Sequence, residues 1–153
     1  MINSIFRHWT KFWLPPLVWM VVISLFSTDH FSGQQTSRLI GPFLRFFVPD
    51  IADASIASIQ LVVRKIGHLT EYGILFLLWY RALNASRHHP LNIWNTGYAS
   101  GCLMICMLYA ATDEWHQSRT DHRVGSPVDV GIDTLGATMA MGWIRWRTRR
   151  KKE

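Results

Sequence analysis

Cysteine is scarce in this chain, and the two cysteines carry no metal or redox signal. Cys102 and Cys106 lie four residues apart inside an apolar run, and neither zinc-binding nor dithiol spacing is present. We therefore expect two small side chains packed on one helix face. Acidic residues are also few, 10 against 16 lysines and arginines, and the chain of 153 residues is long enough for one domain, residues 1–153.

Polar residues are too few for an ordinary soluble domain. Hydrophobic residues make up 49% of the chain and aromatic residues 13%, with eight tryptophans. The net charge of +6 would suggest nucleic acid as the ligand of a soluble protein, but here the basic residues cluster at 145–152, after an apolar run. That placement is typical of the cytoplasmic flank of a membrane helix, so we expect a lipid bilayer as partner and no nucleic acid.

Four apolar stretches predict membrane-spanning helices, because each is close to the roughly 20 residues that cross a bilayer. They lie at about 9–27, 66–83, 93–112 and 128–146. Pro15 and Pro16 should kink the first span or mark its start, and we interpret it as a retained anchor because no small-x-small cleavage site follows. Gly97 and Gly101 form a G-x-x-x-G pattern suited to close helix packing. The predicted fold is an all-α polytopic membrane helix bundle with four transmembrane helices.

The connection between the first two spans predicts an interfacial or amphipathic helix in the first outer loop. Residues 39–48 are apolar but too short to span, and Pro42 and Pro49 should break them into a re-entrant or interfacial piece. From Asp50 onward, apolar residues at helical spacing should continue into the second span, with a bend near Gly67. This apolar stripe consists of Ile51, Ile56, Ile59, Val62, Val63 and Ile66.

The distribution of basic and aromatic residues predicts the orientation. Four spans place both termini on one side, and most lysines and arginines fall on that side, which predicts cytoplasmic termini in a multi-pass protein of the bacterial plasma membrane. Six of the eight tryptophans are expected near the same interface. They are Trp9, Trp13, Trp79, Trp94, Trp143 and Trp146.

Polar residues at the ends of three spans predict one site at the outer face of the membrane. The candidate catalytic residues are His68, Glu71, Asp113, Glu114, Asp129 and Asp133, and the candidate substrate-binding residues are Arg64, Lys65, Gln117 and Arg123. A lone ionisable group at mid-bilayer costs roughly 2.5–3.5 kcal/mol. These groups should therefore face one another and enclose a pocket.

Two interpretations of this cluster stay open. One carboxylate could act as a general base or metal ligand, with Gln117 orienting it or binding a substrate oxygen. Alternatively, the cluster is a buried hydrogen-bond network that ties three helices together, with Arg123 as counter-ion. No compact ligand spacing supports a metal site, so none is predicted, and the sequence leaves the question of a cofactor open.

These residues resemble the VanZ-like family of small bacterial integral membrane proteins. The matching segments are 65–72 (KIGHLTEY), 113–117 (DEWHQ), Arg123 and 129–137 (DVGIDTLGA), and the resemblance covers about 64–142. Asp133 stands where the family usually has Asn, so this site would carry an extra negative charge or a shared proton. His116 and His122 add further titratable groups. The resemblance implies an association with low-level resistance to the glycopeptide teicoplanin.

Three functions are compatible with these features. The first is an enzyme acting on a lipid-linked or anionic cell-envelope substrate at the outer leaflet, with Arg123 gripping an anionic headgroup. The second is a non-catalytic binder or modulator of envelope components or partner proteins. The third, a small transporter or proton-coupled channel, is disfavoured because the inner halves of the spans lack charges that would continue a path.

Overall fold

The computed structural model describes residues 2–27, 33–85, 90–118 and 126–151. Regular secondary structure in these ranges is helical throughout, which confirms the all-α prediction. The helices are α1 (Ile2–Phe12), α2 (Leu14–Phe26), α3 (Gly33–Phe47), α4 (Asp53–Leu83), α5 (Thr96–Gln117) and α6 (Pro127–Arg150), with a 3₁₀ turn at Pro90–Asn92.

The core of the bundle lies where α4 meets α5 and α6, and α2 packs on its side. Small residues on α5 and α6 leave room for the large side chains that α4 contributes. The buried cluster contains Ile23 from α2; Tyr72, Leu75, Phe76 and Tyr80 from α4; Ala99, Cys102, Cys106 and Ala110 from α5; and Ala137 and Ile144 from α6. Cys102 and Cys106 are fully buried, as the sequence predicted.

The closest approach of two helices is between α4 and α6, at Gly136. A Cβ placed on Gly136 would lie only 2.8 Å from the carbonyl carbon of Leu69, and one placed on Gly73 would lie 3.4 Å from the carbonyl oxygen of Gly136. The predicted packing role of Gly97 and Gly101 is wrong. In the described part of the chain, a Cβ on Gly101 meets nothing within 4 Å and one on Gly97 meets only the Asn95 side chain.

The first predicted span is an apolar helical stretch in the structure. Phe6–Phe26 is 21 residues long, has a mean hydropathy of 1.4 and is only 11% buried. Within the described ranges, it is the one stretch whose length and composition suit a membrane span. Trp13 separates α1 from α2, and Pro15 and Pro16 occupy the first turn of α2, where a missing backbone N–H costs nothing.

The connection to the second predicted span differs from its prediction. Pro42 lies inside α3 and does not break it. α4 continues through Gly67 as a single helix of 31 residues, because a lone glycine costs a helix only about 1 kcal/mol. The predicted apolar stripe on α4 is mostly exposed. Ile56 is buried, whereas Ile59, Val62, Val63 and Ile66 are exposed.

Contacts between helix ends define two ends of the bundle with different chemistry. At one end, Ser27 after α2 contacts Asp113 near the end of α5, and we call this the acid end. At the other, Arg81 near the end of α4 donates to the Lys11 carbonyl at 3.3 Å, and the Arg145 guanidinium lies over the Trp94 ring. We call that the basic end. Consecutive helices α4, α5 and α6 therefore alternate in direction.

Candidate functional site

A buried histidine–carboxylate pair lies where α4 crosses α6. His68 Nδ1 is 3.2 Å from Asp133 Oδ1, and the two side chains are 10% and 0% exposed. His68 precedes Leu69, whose backbone touches Gly136 one turn beyond Asp133. The absence of a side chain at Gly136 therefore lets the histidine and the carboxylate meet. Among the described residues, no donor is aligned for a hydrogen bond to either carboxylate oxygen of Asp133.

The two carboxylate oxygens of Glu114 have different surroundings. Its Oε2 accepts a hydrogen bond of 2.8 Å from the Ser126 backbone N–H, while Ser126 Oγ caps α6 by accepting from Val128 N–H at 3.2 Å. Glu114 Oε1 is buried and has no hydrogen-bond partner in the part of the chain that the structure describes. Glu114 Oε2 thus joins the end of α5 to the start of α6.

Asp113 joins α5 to the end of α2. Its Oδ2 accepts from Gln117 Nε2 at 2.8 Å and from Ser27 Oγ at 2.6 Å. One turn earlier on α5, the Tyr109 hydroxyl donates to the Met20 carbonyl at 2.5 Å. The predicted proximity of Asp113 and Gln117 is therefore present, and it serves a helix–helix contact that the sequence did not reveal.

Asp129 is the centre of an ion pair at the rim of the cluster. Its carboxylate, 6% exposed, binds Lys65 Nζ, and Arg64 Nη2 lies 3.7 Å away. The Lys65 and Arg64 side chains are 30% and 36% exposed. Both cations are therefore partly exposed, whereas the Asp129 carboxylate that they contact is buried.

Tyr72 is a member of the cluster that sequence reasoning missed. It lies one turn after His68 on α4 and is fully buried, and its hydroxyl has no hydrogen-bond partner among the described residues. Its ring packs against the Tyr109 ring of α5, with the ring centroids 6.2 Å apart. The sequence could have indicated this, because Tyr72 follows His68 by four residues and such a spacing places both side chains on one helix face.

Most of the predicted site residues meet at the acid end. Asp133 contacts His68, the Asp129 ion pair lies one turn away on α6, and Asp113 and Glu114 lie at the same end of the bundle through their contacts with Ser27 and Ser126. The half-buried Glu71 accepts a hydrogen bond on its backbone carbonyl from Trp19 Nε1 at 2.9 Å. His116 is exposed. Arg123 and His122 lie outside the described residues.

The arrangement combines buried acid–base groups with cations at the rim. His68 Nδ1 lies 3.2 Å from Asp133 Oδ1, and the buried Glu114 Oε1 and Tyr72 hydroxyl oxygens have no hydrogen-bond partner among the described residues. In the described ranges, no group of three or more His, Cys, Asp or Glu side chains is placed to hold a metal ion. The chemistry that these residues can supply by themselves is therefore proton transfer and anion binding.

Comparison with known proteins gives one match. A family model described as VanZ/LLP1 matches residues 12–148, which include every helix of the core and all of the candidate site. No curated protein and no solved structure matches the chain significantly.

Proposed function

The chain belongs to the VanZ/LLP1 family, and on that premise we propose that it is a multi-pass protein of the bacterial plasma membrane whose acid end acts on a lipid-linked or anionic cell-envelope substrate. The observation that carries the proposal is the buried His68–Asp133 pair, 3.2 Å apart, at the same end of the bundle as a buried Glu114 oxygen that has no hydrogen-bond partner among the described residues. Burying such groups costs several kcal/mol unless they are partnered. Groups of this kind inside a membrane protein are usually functional.

Helix length and exposure support a bundle of four spans. α5 and α6, with 22 and 24 residues, are about 33 and 36 Å long, against roughly 30 Å of hydrocarbon. Large apolar side chains point outward from three helices, as expected for contact with lipid. They include Leu17, Val18 and Val21 on α2, Met104, Met107 and Leu108 on α5, and Leu135 and Met139 on α6.

The same arrangement supports cytoplasmic termini. Arginines of α4 and α6 and the Lys11 backbone meet at the basic end, and basic flanks are retained in the cytoplasm. With the basic end inside, the acid end faces the outer leaflet. The substrates within reach are then lipid-linked or other envelope components.

The catalytic role that we propose for His68 is general-base catalysis. Asp133 Oδ1, 3.2 Å from Nδ1, would orient the imidazole and stabilise the imidazolium that forms when Nε2 accepts a proton. Lys65 and Arg64, held in place by Asp129, would bind an anionic group of the substrate one helical turn from His68. Arg123, by its position in the sequence between Glu114 and Asp129, would add a third cation.

Isosteric substitutions test this proposal in a teicoplanin-susceptibility assay on cells that express the chain. Glu114→Gln retains an amide oxygen that can accept from Ser126 N–H, so α6 stays capped while the carboxylate charge is lost. Asp133→Asn likewise retains shape and removes the charge that faces His68. Both variants should lose the phenotype at unchanged membrane levels. Asp53→Asn, at a residue paired with Arg45 on the surface, is the matched control and should keep it.

A non-catalytic binder or modulator of envelope components is the alternative. It is favoured by one observation, namely that Asp113, Glu114 and Asp129 each bond another part of the chain and so stabilise the bundle. A binder should tolerate Glu114→Gln and Asp133→Asn, because shape is preserved. If both variants retain the phenotype, the catalytic proposal is wrong and the binder remains.

A further inference from the structure

Charge is segregated between the two ends of the bundle. The carboxylates that the structure describes all lie in the half that contains the acid end: Asp50, Asp53, Glu71, Asp113, Glu114, Asp129 and Asp133. The basic end carries Lys11, Arg81, Arg145, Arg147, Arg149, Arg150 and Lys151. Along α4, Glu71 is the carboxylate nearest to Arg81, about 15 Å away by helical rise. The cations of the basic end therefore have no carboxylate beside them in the described ranges.

Five of these cations make cation–π contacts with aromatic rings. The Arg150 guanidinium lies 4.4 Å from the centroid of Trp146, Arg147 lies 5.2 Å from Trp143, and Arg145 lies 5.6 Å from Trp94. Arg81 and Lys11 lie 5.1 and 5.2 Å from the centroid of the Phe12 ring. We call this set of cations and rings the aromatic collar.

A guanidinium that lies over an indole is attracted by the ring and can still donate from its N–H groups. Such a fork matches the two oxygens of a phosphate group. Trp143 and Trp146 are 42% and 51% exposed, and an exposed indole prefers the depth of lipid headgroups. The collar thus combines phosphate-binding edges with rings suited to the same depth.

The helix dipole explains only part of this arrangement. Arg147, Arg149 and Arg150 lie in the last turn of α6, where a cation gains about 0.3–1 kcal/mol from the partial negative charge of the helix end. That interaction requires no tryptophan beneath the guanidinium. It also does not explain Arg145, which precedes the last turn and lies over the Trp94 ring from another segment.

We propose that the aromatic collar is a binding site for anionic phospholipids, with the arginines of α6 binding the phosphate and the tryptophans packing on the adjoining glycerol and upper acyl chain. The site lies at the opposite end of the bundle from His68 and Asp133. It is independent of the proposed catalytic activity.

Tryptophan quenching by brominated lipids tests the proposal on the full chain in neutral detergent. Phosphatidylglycerol and phosphatidylcholine with identical brominated chains are titrated separately, so that only the headgroup differs. Half-maximal quenching should need at least about tenfold less phosphatidylglycerol, since each basic residue near an anionic surface contributes about 1 kcal/mol. In the Arg145→Gln/Arg147→Gln/Arg150→Gln variant, the two lipids should differ by less than about twofold.

Two controls accompany this experiment. Arg45→Gln removes a cation at the acid end and should leave the preference for phosphatidylglycerol unchanged. In the wild-type protein, high salt should weaken the preference by screening the charges, which tests the proposal even if the triple variant fails to fold. A preference that survives both the triple substitution and high salt overturns the proposal, as does equal quenching of the wild type by the two lipids.

Discussion

Replacing Gly136 with alanine would place a methyl group against the backbone of α4. The new Cβ would lie 2.8 Å from the Leu69 carbonyl carbon and 2.9 Å from its Cα, whereas an ordinary contact is 3.4–4 Å. Backbone atoms cannot rotate away, so α4 and α6 must separate or tilt. Overpacking of this kind costs about 3 kcal/mol at the upper end of its usual range. Alanine recovers about 1 kcal/mol through its higher helix propensity, which leaves a net loss of about 2 kcal/mol.

Thermal unfolding of the purified protein in detergent measures this effect. Gly136→Ala should lower the melting temperature by about 4–8 °C and, because Leu69 adjoins His68, should also weaken the contact with Asp133. Gly101→Ala is the matched control, since nothing lies within 4 Å of its added Cβ. It should raise the melting temperature slightly through helix propensity alone. A stable Gly136→Ala protein, or a destabilised Gly101→Ala protein, would refute the assigned packing.

Two further predictions follow from single contacts. Asp129→Asn should destabilise the bundle by about 1–3 kcal/mol because Lys65 loses its partner. In the same melting assay, the charge-exchanged Lys65→Asp/Asp129→Lys protein should recover part of that loss. A melting temperature of the exchanged protein no higher than that of Asp129→Asn would argue against the ion pair. Cys102 and Cys106 are fully buried, so they should resist maleimide in the folded protein and react on denaturation. Rapid labelling of the native protein would contradict the burial of these two side chains.

The sequence predicted the all-helical fold because long apolar runs and their polar boundaries carry that information locally, but it did not predict that α3 continues through Pro42 or that α4 runs from Asp53 to Leu83. It also predicted that His68, Glu114 and Asp133 share one end of the bundle, since alternating helices bring those ends together. The contacts themselves were not predictable. Whether Asp113 meets Ser27, or Glu114 meets Ser126, depends on helix rotation and on side-chain reach across distant parts of the chain.

Glycine illustrates why pattern and packing diverge. Gly97 and Gly101 have the spacing of a helix-packing motif, yet among the described residues no other helix lies within 4 Å of a Cβ added to either, whereas Gly136 makes a close contact with α4. Which face of a helix is buried is decided by all of its neighbours together. The apolar stripe on α4 is exposed for the same reason: helical periodicity identifies an apolar face but does not show what covers that face.

The distance of the His68–Asp133 pair from the basic end affects how a substrate would enter. About 20 Å of helix separates His68 from Arg81, and about 21 Å separates Asp133 from Arg147. If the arginines mark one edge of a hydrocarbon layer roughly 30 Å thick, the pair lies about 10 Å below the opposite edge. Lys65 and Asp129 lie one turn closer to that edge. A lipid headgroup would then have to sink below its own leaflet surface, and lateral entry between helices would suit it better than approach from water.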